Sequence, residues 1–199
     1  MVSLYQNSTP SNKQTRKCYT VLMNLHEKRL KTALKFKGKI IEVHHDDIEL
    51  PNGDTSMREV VKHPGGVCIA AQNEKGEYLL VEQFRYAFNT VLLEFTAGKL
   101  EPNENPIDAA NRELIEETGY EALEMTSLGQ LYPSPGYLGE IIHLYYAPKT
   151  KFVGQKLDFH EFLNVKTYTL DQLIDLVMTN ELRDAKTIAL ILKLSQITL

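Results

Sequence analysis

The chain has 199 residues, 43% of them hydrophobic and 24% charged, with a formal net charge of −4. That balance is ordinary for a soluble globular domain and excludes a basic surface that would hold nucleic acid through its phosphates. The two cysteines, Cys18 and Cys68, are too far apart for a CxxC metal site or a disulfide framework.

The first residues, MVSLYQNSTPSNKQTRK, lack the apolar core of a signal peptide, and no later run approaches the ~18 apolar residues of a membrane span. A cytoplasmic protein without membrane partners is the expectation. The Ser/Thr/Asn/Lys-rich start reads as an extension over 1–35, with order beginning near Met23 or later. An N-terminal β region over 36–64 and a main domain over 65–199 follow.

Ile40 to Leu50 predicts a strand, Pro51-Asn52-Gly53-Asp54 a hairpin turn, and Met57 to His63 the returning strand. Pro64-Gly65-Gly66 marks a break. Apolar strands are expected at Val67 to Ala71, where Cys68 reads as a buried thiol, and at Tyr78 to Phe84. Val91 to Phe95 gives a short strand before Ala97-Gly98.

A helix is predicted over Pro106 to Thr118. Asn105 suits the N-cap, Pro106 the first position, Asp108 a capping box and Gly119 the C′ stop. Ile107, Ala110 and Leu114 recur at helical spacing as the core face. Strands follow at Ala122 to Leu131, Glu140 to Ala147 and Phe162 to Thr167. Thr169 and Gln172 form a second capping box opening a helix to Met178, and a last helix covers Ala185 to Leu194. The mixture without a regular βαβ repeat indicates an α/β/α or α+β sandwich with a mixed central sheet and an N-terminal antiparallel hairpin.

The chemistry concentrates in GKLEPNENPIDAANRELIEETGY, residues 98–120. Glu113, Glu116 and Glu117 stand at i, i+3 and i+4, so they share one helix face and repel by roughly 0.2–0.5 kcal/mol per pair. Arg112 offsets part of this through Glu116. On its own, such a triplet reads as a solvated acidic face.

The wider spacing carries more information. Gly98, Glu104, Arg112, Glu113, Leu114, Glu116, Glu117, Gly119 and Tyr120 fall in the register of the Nudix box, and the segment resembles that family's signature. At roughly 5–8% usage per residue type, seven strict matches by accident come to about 10⁻⁸. The resemblance implies a Nudix-type α/β/α sandwich and a hydrolase of nucleoside diphosphates. It implies Mg²⁺, with Mn²⁺ as a substitute, held by Glu113, Glu117, variably Glu116, and the Ala97 carbonyl. A hard cation suits such oxygens, shares them with phosphate and activates water. Gly98, Arg112 and Gly119 are implied as structural members of the box, with Arg112 orienting the glutamates.

Beyond the box, LPNGDTSMREVVKHPGGV, VEQFRY, LLEFTAGKLE, YPSPGYLGE with Pro135, and ELRDAKTIALILKL resemble the family's ADP-ribose pyrophosphatase branch; Thr96 departs mildly from it. By that resemblance Glu140 is implied as general base or additional ligand, with a box glutamate such as Glu117 taking the part if Glu140 is remote. Arg85 is implied to contact the diphosphate, and Arg58 and Glu59 the terminal ribose or the partner subunit's site. A homodimer with exchanged N-terminal strands is implied as well. His44, His45, His63, His143 and His160 show no mutual ligand spacing and read as structural or surface groups.

The expected reaction is hydrolysis of ADP-ribose to AMP and ribose 5-phosphate. A broader nucleoside diphosphate sugar pyrophosphatase is the alternative, and a non-catalytic ADP-ribose sensor a third. The retained box glutamates speak against the sensor.

Overall fold

The computed structural model describes residues 24–157, 159 and 161–197. The expectations for residues before Met23, for Cys18 and for His160 lie outside the described residues.

Strand β4 (Gly66–Gln72) sets the architecture. Successive strand residues point to opposite faces. Val67, Ile69 and Ala71 join Ala109, Ala110 and Leu114 of helix α1 (Pro106–Thr118) in one apolar cluster. Cys68 and Ala70 join Leu173 of α2 (Leu170–Met178) and Leu190, Ile191 and Leu194 of α3 (Ala185–Gln196) in the other. A strand covered on both faces must be apolar throughout, which is why β4 lacks polar alternation. The result is the expected α/β/α sandwich.

The central sheet runs β10-β5-β4-β9-β8, with β6 on β5 and β7 on β4. Its strands are β5 (Tyr78–Arg85), β6 (Thr90–Glu94), β7 (Thr96–Lys99), β8 (Tyr120–Leu131), β9 (Ile142–Phe152) and β10 (Leu163–Tyr168). β4 and β9 pair in parallel and the other pairs are antiparallel, so the sheet is mixed.

A separate antiparallel sheet has the order β1-β2-β3, formed by β1 (Lys28–Lys37), β2 (Glu42–Glu49) and β3 (Thr55–Lys62). The expected boundary at 35/36 therefore falls inside a strand. KRLKTALKFK reads as polar because almost every side chain of β1 is exposed, and its order comes from backbone pairing with β2. Strand β7 is also absent from the sequence-based expectation; four residues containing a glycine carry too little β signal.

Two local expectations change. Ile107 is 39% exposed and Ala109 takes its place on the buried face. Asn105 caps α1 by accepting from the Ile107 N–H, without a reciprocal bond from Asp108. The second capping box is complete, Thr169 and Gln172 bonding each other's backbone N–H groups.

Candidate active site

Helix α1 is fixed at both ends before its carboxylates are placed. Asn105 and Pro106 start it, and Gly119, at φ 81°, ends it by donating to the Ile115 carbonyl at 2.9 Å. No side chain fits at 119, because a Cβ there would lie 2.7 Å from the Gln155 nitrogen. With Ala110 and Leu114 buried against β4, Glu113 and Glu117 turn together into a cleft of about 510 Å³.

Arg112 binds this turn to the preceding loop. Its guanidinium donates to Glu104 at 2.8 and 3.0 Å, to Glu113 at 2.9 Å, to Glu116 at 3.0 Å and to the Lys99 carbonyl at 3.3 Å. The Arg112 bonds hold the Glu104 carboxyl below its usual range. Arg112 thus ties Glu104, Glu113 and Glu116 to one guanidinium.

Glu117 is 3% exposed, and its Oε2 accepts from the Ala97 N–H at 3.3 Å. Burial, reinforced by Glu113 and Glu161, pushes its pKa up to about 8. Burial also raises Glu113, against the opposing pull of Arg112. Two neighbouring carboxylates, Glu117 buried and Glu113 half-buried, both reluctant to ionise, are a site short of positive charge.

Glu140 enters from the loop before β9, its Oε1 at 3.2 Å from His63 Nδ1. Glu161, from the loop before β10, lines the same cleft. The same cleft also holds two cationic side chains. Arg85 grips Glu94 through Nε at 2.7 Å and Nη2 at 2.6 Å, and Lys186, from the first turn of α3, donates to Glu94 and, at 2.8 Å, to Asp184. Both cations line the cleft.

Of the residues singled out from the sequence, Ala97, Gly98, Glu113, Glu117, Glu140 and Arg85 share this cleft. Glu116 does not; it turns to Arg112 and borders a different surface groove with Lys156. Arg58 is paired with Glu27 and Glu59 with His45, both on the N-terminal sheet and outside the cleft. Pro133 lines the cleft where Pro135 was singled out. His63, expected as a structural or surface group, lines it too.

Glu161, Glu94 and Lys186 were not foreseen from the sequence. Glu161 sits in a loop with no periodic pattern, and Glu94 and Lys186 look like ordinary strand and helix charges until the fold brings them together. A signal was present for Glu94, a carboxylate inside the apolar run Val91-Leu92-Leu93-Glu94-Phe95.

The donor set fits a hard divalent cation. Glu113, Glu117 and Glu140 offer carboxylate oxygens in one partly desolvated space, and Gly98 has no side chain to fill it, since a Cβ there would fall 1.8 Å from Glu113 Cδ. Among the described residues no three acidic, imidazole or thiol groups are already drawn around one point, and Arg112 engages Glu113 and Glu116 instead.

Comparison with known proteins gives a consistent result. A family model described as the NUDIX domain matches residues 62–191. The chain is 42% identical over 168 residues to the ADP-ribose pyrophosphatase of Bacillus subtilis, covering 83% of this chain and 91% of that protein. It is likewise 42% identical over 164 residues to the methanol dehydrogenase activator of Bacillus methanolicus, covering 81% and 89%. A crystal structure of an ADP compounds hydrolase superposes with a TM-score of 0.77 at 22% identity, over 87% of this chain and 95% of that one, which supports the fold.

Proposed function

The chain belongs to the Nudix family of hydrolases, and we propose that it cuts the diphosphate of ADP-ribose, releasing AMP and ribose 5-phosphate, with Mg²⁺ as cofactor and Mn²⁺ as a substitute. One observation carries the reading: the buried Glu117 and the half-buried Glu113 line a single cleft together with Arg85 and Lys186. Two acids that want a cation and two cations that suit an anion are what a metal-bound diphosphate requires. The name of the Bacillus subtilis relative supplies the choice of ADP-ribose.

Held by Glu113, Glu117 and the backbone of Ala97, a divalent cation would neutralise the diphosphate and acidify a nearby water. Arg85 and Lys186 hold the phosphate oxygens. Arg112 keeps the acidic turn in register and stays clear of the substrate. The attacking water loses its proton to Glu140 or to Glu161, both of which line the cleft and, among the described residues, have no arginine partner. Among the described residues no helix is long and apolar enough to cross a membrane.

The reading extends to a homodimer. Leu34, Phe36 and Met57 of the N-terminal sheet are about half exposed, which favours a covering partner for that sheet. Arg58 and Glu59, remote from their own cleft, would then serve the partner's.

The experiment is a substrate panel of ADP-ribose, ADP-glucose, GDP-mannose and a dinucleotide with Mg²⁺ in ¹⁸O-labelled water. ADP-ribose is expected to give the highest kcat/KM, with label in one of its two phosphate products. An efficiency for ADP-ribose no higher than for the nucleotide sugars would favour the broader pyrophosphatase.

A further inference from the structure

Glu94 is 1% exposed yet carries three charge-assisted bonds. Its carboxylate takes Arg85 in a two-pronged grip and Lys186 on the same Oε2 that receives Arg85 Nη2. The elements joined in this way are distant in sequence: Arg85 ends β5, Glu94 ends β6, and Lys186 lies in the first turn of α3. A second buried tie fixes the same junction, the Phe95 N–H donating to Thr187 Oγ1 at 2.9 Å and that hydroxyl donating to Asp184 at 2.6 Å.

Burying a carboxylate is costly unless it is paired and fully bonded. Burial alone would raise the Glu94 carboxyl; Arg85 and Lys186 reverse this and hold it below the usual range. A fold needing only packing at 94 would be served as well by an apolar residue like its neighbours Leu93 and Phe95, since replacing a whole buried charge cluster is often neutral or stabilising. What the charge does here is geometric. It fixes two long, flexible cationic side chains, both of which line the cleft that Glu113 and Glu117 also line. The two bonds to Arg85 use Nε and Nη2, leaving Nη1 outside the pair.

We propose that Glu94 is a positioning residue for diphosphate recognition, acting through Arg85 and Lys186, and that Lys186 is the second cation of that subsite. The inference rests on the reading of this cleft as a diphosphate site. Preorganising two rotamer-rich cations before the substrate arrives removes an ordering cost from binding. Its loss therefore appears in KM and in affinity more than in kcat.

The sign of the effect separates this role from two simpler ones. If Glu94 were only one more negative charge near the diphosphate, Glu94→Gln would tighten binding. If it were only a packing element, the variant would melt earlier and bind as before. Positioning predicts weaker binding despite the added positive charge.

The experiment compares wild type, Glu94→Gln, Glu94→Asp and Lys186→Met in two readouts: steady-state kinetics on ADP-ribose with Mg²⁺, and calorimetric binding of ADP-ribose in EDTA. Expected for Glu94→Gln and Lys186→Met are a KM and a Kd raised about tenfold or more, with kcat within about threefold. Glu94→Asp, which keeps the charge, should recover part of the loss. Should Glu94→Gln fail to fold, Glu94→Asp decides the positioning role, since it keeps the charge but shortens its reach. A KM and Kd above those of wild type support that role and values equal to wild type overturn it, while Lys186→Met decides the second cation. A KM and Kd within about threefold of wild type in the folded variants, or tighter binding, overturns the proposal. Wild type that binds ADP-ribose but leaves it intact with Mg²⁺ would instead fault the proposed reaction, while the calorimetric comparison still decides the role of Glu94.

Discussion

Glu113 lies directly over Gly98: a Cβ built on the glycine would fall 1.8 Å from Glu113 Cδ and 1.9 Å from its Oε1. The loop and the acidic turn are in contact, and both line the cleft. The obstructing atoms belong to a side chain that Arg112 tethers at 2.9 Å, so an added methyl displaces the carboxylate before it disturbs the backbone. Gly98→Ala is therefore expected to lower Mg²⁺-dependent kcat by about 100-fold while shifting Tm only a few degrees, as for the loss of one electrostatic contact in a preorganised site. Kinetics and a thermal melt on the same protein sample check both halves.

Glu117 predicts a pH dependence of the metal-free protein. Its pKa rises from an ordinary 4.5 to about 8 in the fold, so the folded state holds a proton that the unfolded state releases. That contribution is complete below the unfolded value and is lost as pH rises through about 8. In EDTA, Glu117→Gln should thus gain stability relative to wild type as the pH increases, and Mg²⁺ should restore wild type at high pH but leave the variant unchanged. Paired melts between about pH 5 and pH 9 test this; a constant difference across that range would contradict it.

The general base has two candidates, and hydroxide distinguishes them. Replacing the base slows the reaction by roughly 10²–10⁴-fold, and rising hydroxide relieves part of the loss. Either Glu140→Gln or Glu161→Gln should show this behaviour, while the other stays within about tenfold of wild type. If both remain within about tenfold at every pH, neither carboxylate is the base and a box glutamate takes the part.

Dimerisation is checked by sedimentation. The wild-type chain is expected at twice its 22.7 kDa mass. Phe36→Asp, on the exposed face of β1, should give monomer and a raised KM if Arg58 and Glu59 serve a partner's cleft. A wild-type monomer with full activity would remove those two residues from the site.

How much of the molecule is legible in its sequence depends on the range of the interactions. Helix α1 follows the predicted limits, Pro106–Thr118, because Asn105, Pro106 and Gly119 act within a turn of their own position. The members of the box are equally readable, since helical spacing alone gathers Glu113 and Glu117. Strand β1 is not, because its order comes from pairing with β2 and leaves little apolar pattern. Glu116 shows the limit within the helix itself: sequence puts it on the acidic face, and Arg112 draws it away from the cleft. Glu94 stands out only as a charge within an apolar run, and its partnership with Lys186 cannot be read from the sequence. They are separated by 92 positions, and only the packing of α3 on the sheet makes them neighbours.

The most direct measurement is Mn²⁺ binding followed by electron paramagnetic resonance, in wild type and in Glu113→Gln/Glu117→Gln, with a non-hydrolysable α,β-methylene analogue of ADP-ribose present. A cleft built to hold a cation between the Glu113 and Glu117 carboxylates and a diphosphate should take up Mn²⁺ in wild type, more tightly with the analogue, and lose that signal in the double variant. Equal Mn²⁺ uptake by both proteins, or none by either, would contradict the account.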